Sequence, residues 1–169
     1  MKLDGLIEIE PKVNRDLRGF FLESYHELRY KKLGINTLFC QDNHSFSKTN
    51  VLRGMHFQKG MAKLIYCPVG KIYDVVVDIR KGSKSFGKWQ GFYLDGENHR
   101  QLFIPDGFAH GFCVLSEVAH VIYKVSVSYN KDLEQGFSPF DKAIEIAWPI
   151  QNPILSERDL KAPLLKDLL

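Results

Sequence analysis

The feature that most constrains this chain is a recurrence of short segments in which apolar and polar residues alternate, each ending in Gly, Asp, Asn or Ser. In KIYDVVVDIR, Tyr73, Val75, Val77 and Ile79 share one parity, and Asp74, Val76, Asp78 and Arg80 share the other. Successive side chains on a strand point to opposite faces, so a period of two predicts a pleated sheet with two distinct sides. AKLIYCPVG, WQGFYLDG, RQLFIPDG, AHGFCVLS and AHVIYKVSVSYN repeat the pattern. Strands recurring at a spacing of roughly 8–12 residues predict a sandwich or barrel, and a mainly antiparallel jelly roll fits best. Helix is expected only at the edges. One piece is YHELRYKKLG, with Gly34 as the C-terminal cap, and the other is SERDLKAPLLKDLL, with Ser156 as N-cap.

With 169 residues and no internal repeat, linker or low-complexity stretch, the chain reads as one domain spanning 1–169. A charged fraction of 25% against 44% hydrophobic places it among globular chains. The net charge of +3, with no run of five basic residues, suits an anionic small ligand and gives no reason to expect nucleic acid. MKLDGLIEIEPKV is too charged for a signal peptide, and no apolar run approaches membrane-spanning length, so no membrane partner is expected. Three widely separated cysteines, Cys40, Cys67 and Cys113, form no C-x-x-C; reduced thiols in a cytoplasmic protein are the expectation.

The chain has no phosphate-binding glycine loop and no nucleophile elbow. Its six histidines show neither H-x-H nor H-x-x-x-H spacing, so a metal-free site is expected. NVLRGMHFQKGMAKLIY carries the unusual chemistry. His56 lies between Met55 and Phe57, and on a regular strand its same-face neighbours are Gly54 and Gln58. A histidine satisfied within the core is the plain reading. Arg53 and Lys63 weigh against it, because positive groups placed in a core need an anionic partner.

Other polar residues have bland readings of their own. Tyr123 and Tyr129 sit six apart in VIYKVSVSYN, which predicts one shared face with Val125 and Val127, and packing is the common fate of tyrosine in a strand. Glu23, Gln41, Asp42 and Asn43 read as loop and turn residues. Ser156-x-x-Asp159 reads as a capping box with aspartate in the glutamate position. IPDGFAHGF, around His110, reads as a tight turn between strands.

Taken together, RDLRGFFLESY, QDNHSFSKTNVLRGMHFQ, KLIYCPVGKIYDVVVDIRKGSKSFGKWQGFYL, ENHRQLFIPDGFAHGFCVLS, VIYKVSVSYN and ILSERDLKAPLL resemble the dTDP-4-dehydrorhamnose 3,5-epimerase family, a metal-free branch of the cupin jelly rolls. They run in family order from about Pro11 to Leu165, and LRGMHFQ and IPDGFAHGF are the most specific. The resemblance implies roles. His56 matches the catalytic base, Tyr123 the acid on the opposite face, Asp159 the carboxylate that orients the base, and Lys63 the cation at the ketone oxygen. Arg18, Glu23, Gln41, Asp42, Asn43, Arg53, His110 and Glu134 match substrate-contacting positions, and Tyr129 falls in the same group. Phe20 matches an aromatic that stacks on thymine from a partner subunit, which implies a homodimer.

The implied reaction converts dTDP-4-dehydro-6-deoxy-D-glucose to dTDP-4-dehydro-L-rhamnose without a cofactor. Two stretches depart from the family pattern: VSVSYNKDLEQ lacks a second tyrosine and a following proline, and SPFD stands where the family has Trp-Asn-Asp. Both bear on which sugar is turned over and at how many centres. An epimerase acting at C3 or C5 alone, and a non-catalytic cupin that binds a nucleotide sugar, therefore remain alternatives.

Overall fold

In the computed structural model, which describes residues 2–168, the alternating segments pair into two facing antiparallel sheets. The strands are β1 (Ile7–Ile9), β2 (Val13–Asp16), β3 (Gly19–Leu22), β4 (Gln41–Lys48), β5 (Leu52–Gln58), β6 (Lys63–Val69), β7 (Lys71–Asp78), β8 (Trp89–Asp95), β9 (Gln101–Ile104), β10 (Phe108–Val114), β11 (Val118–Val125) and β12 (Glu134–Gly136). One sheet has the order β1-β9-β6-β11-β4 and the other β12-β5-β10-β7-β8. β2 and β3 form a separate two-stranded ribbon. The two sheets confirm the mainly antiparallel β fold read from the sequence.

Ile65, Cys67, Leu102, Ile104, Ala119 and Val121 from the first sheet meet Ile72, Val76, Leu94, Phe112 and Val114 from the second in one buried cluster. β7 is buried on both faces from Asp74 to Asp78. Its odd-numbered Val75 and Val77 enter a second cluster beneath the C-terminal segment, with Met55, Phe137, Ile144 and Leu165. The outer face of the first sheet is covered through Tyr30, Ile35, Leu64 and Phe103.

Both helices are shorter than the sequence suggests. α1 spans Glu27–Lys32, and Gly34 follows its C-cap at φ +92°, a conformation that favours glycine. α2 is only Glu157–Leu160, and Pro163, which cannot continue a helix, precedes a separate 3₁₀ turn at Leu165–Asp167. The last residue of the expected helix, Leu169, lies outside the described residues.

Two strand expectations are also corrected. β11 ends at Val125, so Tyr129 does not share its face with Tyr123 but sits in the following loop. Gln41, Asp42 and Asn43 belong to β4 and not to a turn. The polar string QDNHSFSK hides an edge strand whose odd residues turn inward, with Asn43 opposite Tyr123 in register. Among the described residues no helix is long and apolar enough to cross a membrane.

Candidate active site

A fault in β5 creates the site. His56 pairs with His110 and Arg53 with Phe112, so three steps on β5 match two on β10. This is a β-bulge, and it re-aims side chains by one position. Arg53 and His56, which strict alternation would send to opposite faces, both line one cavity, while Met55 turns away into the core beneath the C-terminal segment. Gly54 permits the close approach: a Cβ there would lie 2.6 Å from the Gly111 Cα. The same-face neighbours expected for His56 are therefore corrected, and Gln58 is instead buried with its amide donating to the Ser128 carbonyl at 3.1 Å.

The cavity has a volume of about 400 Å³, within the range of roughly 300–1,000 Å³ typical of small-molecule sites. Arg53, His56, His110 and Glu134 reach it from one sheet, and Ser45, Lys63 and Tyr123 from the other. Arg158 and Asp159 close it from α2.

His56 Nε2 lies 2.6 Å from Asp159 Oδ1. With Nε2–H donated to the carboxylate, Nδ1 keeps the lone pair. Burial alone would raise the Asp159 carboxyl, but the hydrogen bond from His56, helped by Ser156 and the Gly54 backbone, holds it below the usual carboxylate range. Half of the expected capping box exists, since Ser156 Oγ accepts the Asp159 N–H at 3.1 Å. The aspartate side chain leaves that box to serve the histidine.

Burial pushes the Lys63 ammonium down to about 8, opposed by Glu134 and Asp74, and its Nζ lies 3.5 Å from the His56 carbonyl oxygen. Burial pushes the Tyr123 phenol up, and Glu134 adds to the effect. Tyr123 is therefore a protonated donor at neutral pH. His110 donates its Nε2–H to Asp74 Oδ2 at 2.7 Å. Burial lowers its pKa against the pull of Asp74. Arg53 is held at the rim by Ser47 Oγ (2.9 Å) and the Phe46 carbonyl (3.1 Å).

Of the residues expected at a site, His56, Lys63, Tyr123, Asp159, Arg53, His110 and Glu134 converge on this cavity. Arg18, Phe20, Glu23, Gln41, Asp42, Asn43 and Tyr129 do not line it. Asp42 faces outward to Lys124 at 2.8 Å, Arg18 pairs with Asp16 and Glu23 with Arg29. Gln41 and Tyr129 are tied to the site's edge: the Tyr129 N–H donates to Gln41 Oε1 at 2.9 Å, and its hydroxyl donates to Glu134 Oε2 at 3.2 Å.

Sequence reasoning missed Ser45, Arg158 and Asp74. Arg158 forms an ion pair with Glu134, and its place beside Asp159 was the available signal. Asp74 was a carboxylate between Tyr73 and Val75 in a mostly apolar strand. Ser45 gave no signal, being one small polar residue in a polar string.

The arrangement can take a proton from one side of a bound ring and return one from the other, with a cation between. A family model described as dTDP-4-dehydrorhamnose 3,5-epimerase matches residues 1–167. The dTDP-4-dehydrorhamnose 3,5-epimerase of Salmonella typhimurium LT2 is 52% identical over 99% of this chain and 94% of its own length. The crystal structure of a dTDP-6-deoxy-D-glucose-3,5-epimerase from Legionella pneumophila, in complex with dTDP-4-keto-L-rhamnose, superposes with a TM-score of 0.95 at 45% identity, covering 98% of this chain and 90% of that one. A Streptomyces niveus protein named dTDP-4-dehydrorhamnose 3-epimerase is 39% identical over 98% of this chain and 82% of its own length.

Proposed function

The chain belongs to the dTDP-4-dehydrorhamnose 3,5-epimerase family, and we propose that its cavity carries out the family's reaction through His56, Tyr123, Lys63 and Asp159. The enzyme is an isomerase of dTDP-rhamnose biosynthesis, converting dTDP-4-dehydro-6-deoxy-D-glucose to dTDP-4-dehydro-L-rhamnose. One observation carries the residue assignment: the His56–Asp159 pair and Tyr123 belong to opposite sides of one cavity.

The ketone at C4 acidifies the protons at C3 and C5. His56 Nδ1 removes one of them, and Asp159 stabilises the resulting imidazolium, as in other carboxylate–histidine pairs. The enolate charge resides on the C4 oxygen, where the Lys63 ammonium meets it. Tyr123 then delivers a proton to the other face and inverts the centre. A positioned general base contributes roughly 10²–10⁴-fold, and a single donor at a developing oxyanion about 10²–10³-fold. Arg53, at the rim, suits the diphosphate, and Glu134, His110 and Arg158 surround the sugar.

The nucleotide end calls for a second subunit. Phe20 is half exposed on the β2–β3 ribbon, and β4, which carries Gln41 and Asn43, is an unpaired sheet edge. An exposed edge is a template for another chain. A homodimer that lays one protomer's ribbon near its partner's β4 brings Arg18, Phe20 and Glu23 toward the dTDP. The reaction is assigned to the cytoplasm, in keeping with the three widely spaced cysteines.

Incubation with dTDP-4-keto-6-deoxyglucose in deuterated water, followed by proton NMR, tests the reading. Deuterium at both C3 and C5 with formation of the L-rhamno product supports it. Exchange at a single centre would establish the 3-epimerase type of reaction named for the Streptomyces niveus relative. Binding without exchange would leave a non-catalytic protein.

A further inference from the structure

β7 carries two fully buried carboxylates on the same inward face, Asp74 and Asp78, and their surroundings differ. Asp78 is saturated. It accepts from Arg80 Nε (2.9 Å), Arg80 Nη2 (2.7 Å), Ser83 Oγ (2.7 Å), Ser85 Oγ (2.6 Å) and the Arg80 backbone N–H (2.9 Å). That carboxylate closes the loop between β7 and β8. Asp74 accepts only from His110 Nε2, at 2.7 Å, and its Oδ1 has no partner among the described residues. Buried polar atoms are nearly always satisfied, and an exception in a native fold asks for a reason other than holding a loop.

His110 supplies that reason, because it lines the cavity and is the register partner of His56. We propose that Asp74 is a positioning residue which holds the Nε2–H of His110, so that His110 presents its Nδ1 lone pair to a hydroxyl group of the bound hexose. The proposal rests on the epimerase reading for its ligand and extends it to specificity. The tautomer of a histidine is set by the hydrogen bond its other nitrogen makes. Burial, which disfavours the charged ring, keeps the Nδ1 lone pair available at neutral pH. Each of the two paired histidines then has a carboxylate behind Nε2 and a free Nδ1. One takes a proton from carbon, and the other accepts a hydrogen bond from a hydroxyl.

Two readouts test this. In ligand-free protein, ¹⁵N NMR of His110 should show a protonated Nε2 and an unprotonated Nδ1, whatever the substrate proves to be. In Asp74→Ala the preference should weaken or reverse. A wild-type ring protonated at Nδ1 and bare at Nε2 overturns the proposal. In turnover, Asp74→Ala should lower kcat/KM by roughly 10- to 100-fold, the loss expected when a hydrogen-bonded partner is removed. In a His110→Ala background the same change should cost almost nothing further, since Asp74 acts only through His110. Losses that multiply in the double variant would mean that Asp74 acts through the fold, and would overturn it. Asp74→Asn keeps the volume and gives the same comparison if the alanine variant does not fold, because its amide can donate to Nε2 as readily as accept from it.

Discussion

The cavity between the sheets and the exposed β2–β3 ribbon are built on opposite plans. In the cavity, Lys63, His110 and Asp159 are buried, and each of the three is hydrogen-bonded to a residue on a different element. On the ribbon, Leu17 and Phe21 are exposed, Phe20 is half exposed, and among the described residues Arg18 is paired only with Asp16 two residues away. One protomer alone therefore brings His56, Asp159, Lys63 and Tyr123 to one cavity, whereas on the ribbon Phe20 rests only on the His99 ring and the Arg15 guanidinium. The proposed function divides along the same line: its proton-transfer residues all belong to one chain, and the proposed dimer shares the grip on the nucleotide between chains. Substitutions in the first region should act on kcat, and those in the second on KM.

The largest effect is expected at His56. His56→Ala should abolish deuterium uptake and epimerisation together, with a loss of at least about 10²–10⁴-fold in kcat by NMR assay, since no proton leaves carbon. Retained exchange would move the base elsewhere in the cavity. Lys63→Met should follow, slowing exchange and inversion alike by about 10²–10³-fold with little change in KM. Because Lys63 titrates near 8 and its ammonium form is populated below that value, wild-type kcat should fall as the pH rises through about 8. The lysine-free variant should lack that limb. A limb preserved in Lys63→Met would assign it to another group.

Phe20→Ala sharpens the other half of the comparison. Losing one ring from a base stack costs roughly 1–3 kcal/mol, so KM should rise about 10-fold or more while exchange at saturation stays near wild type. Light scattering should show a dimer for the wild type, and an active monomer of unchanged KM would break the comparison outright. The smallest effect expected is that of chelation. EDTA-treated enzyme should keep its full rate, and activity lost and then restored by zinc or manganese would contradict a metal-free mechanism.

How much of this was legible in the sequence depends on how far local pattern governs each element. β6 to β11 were legible because each is a short apolar or alternating segment of strand length bounded by turn residues, even where both faces are buried. β4 was not, since its inward residues Gln41, Asn43, Ser45 and Ser47 are polar and mimic a loop. The C-terminal helix is shorter than its N-cap signal at Ser156 implies, because Pro163 cannot continue it. Tyr129 was misplaced because period-two spacing runs on past the end of a strand that stops at Val125. Within the site, the residue types at His56, Lys63 and Asp159 could be named, but their convergence depends on a bulge at Gly54 and Met55 that alternation cannot foresee. Asp74 escaped notice for a related reason. Its meaning comes from His110 on a neighbouring strand, 36 residues away.

The central claim is that base and acid address opposite faces of one substrate, and Tyr123→Phe tests it most directly. The phenylalanine keeps the ring and removes only the phenolic hydroxyl. With substrate in deuterated water, His56 should still remove the proton and return deuterium to the same face, so exchange at C3 and C5 should persist. The inverted product should fall by about 10²-fold or more, the contribution of a positioned acid. Exchange and inversion lost in equal measure, with the fold intact, would contradict the two-face account and point to Tyr129 or water as the donor.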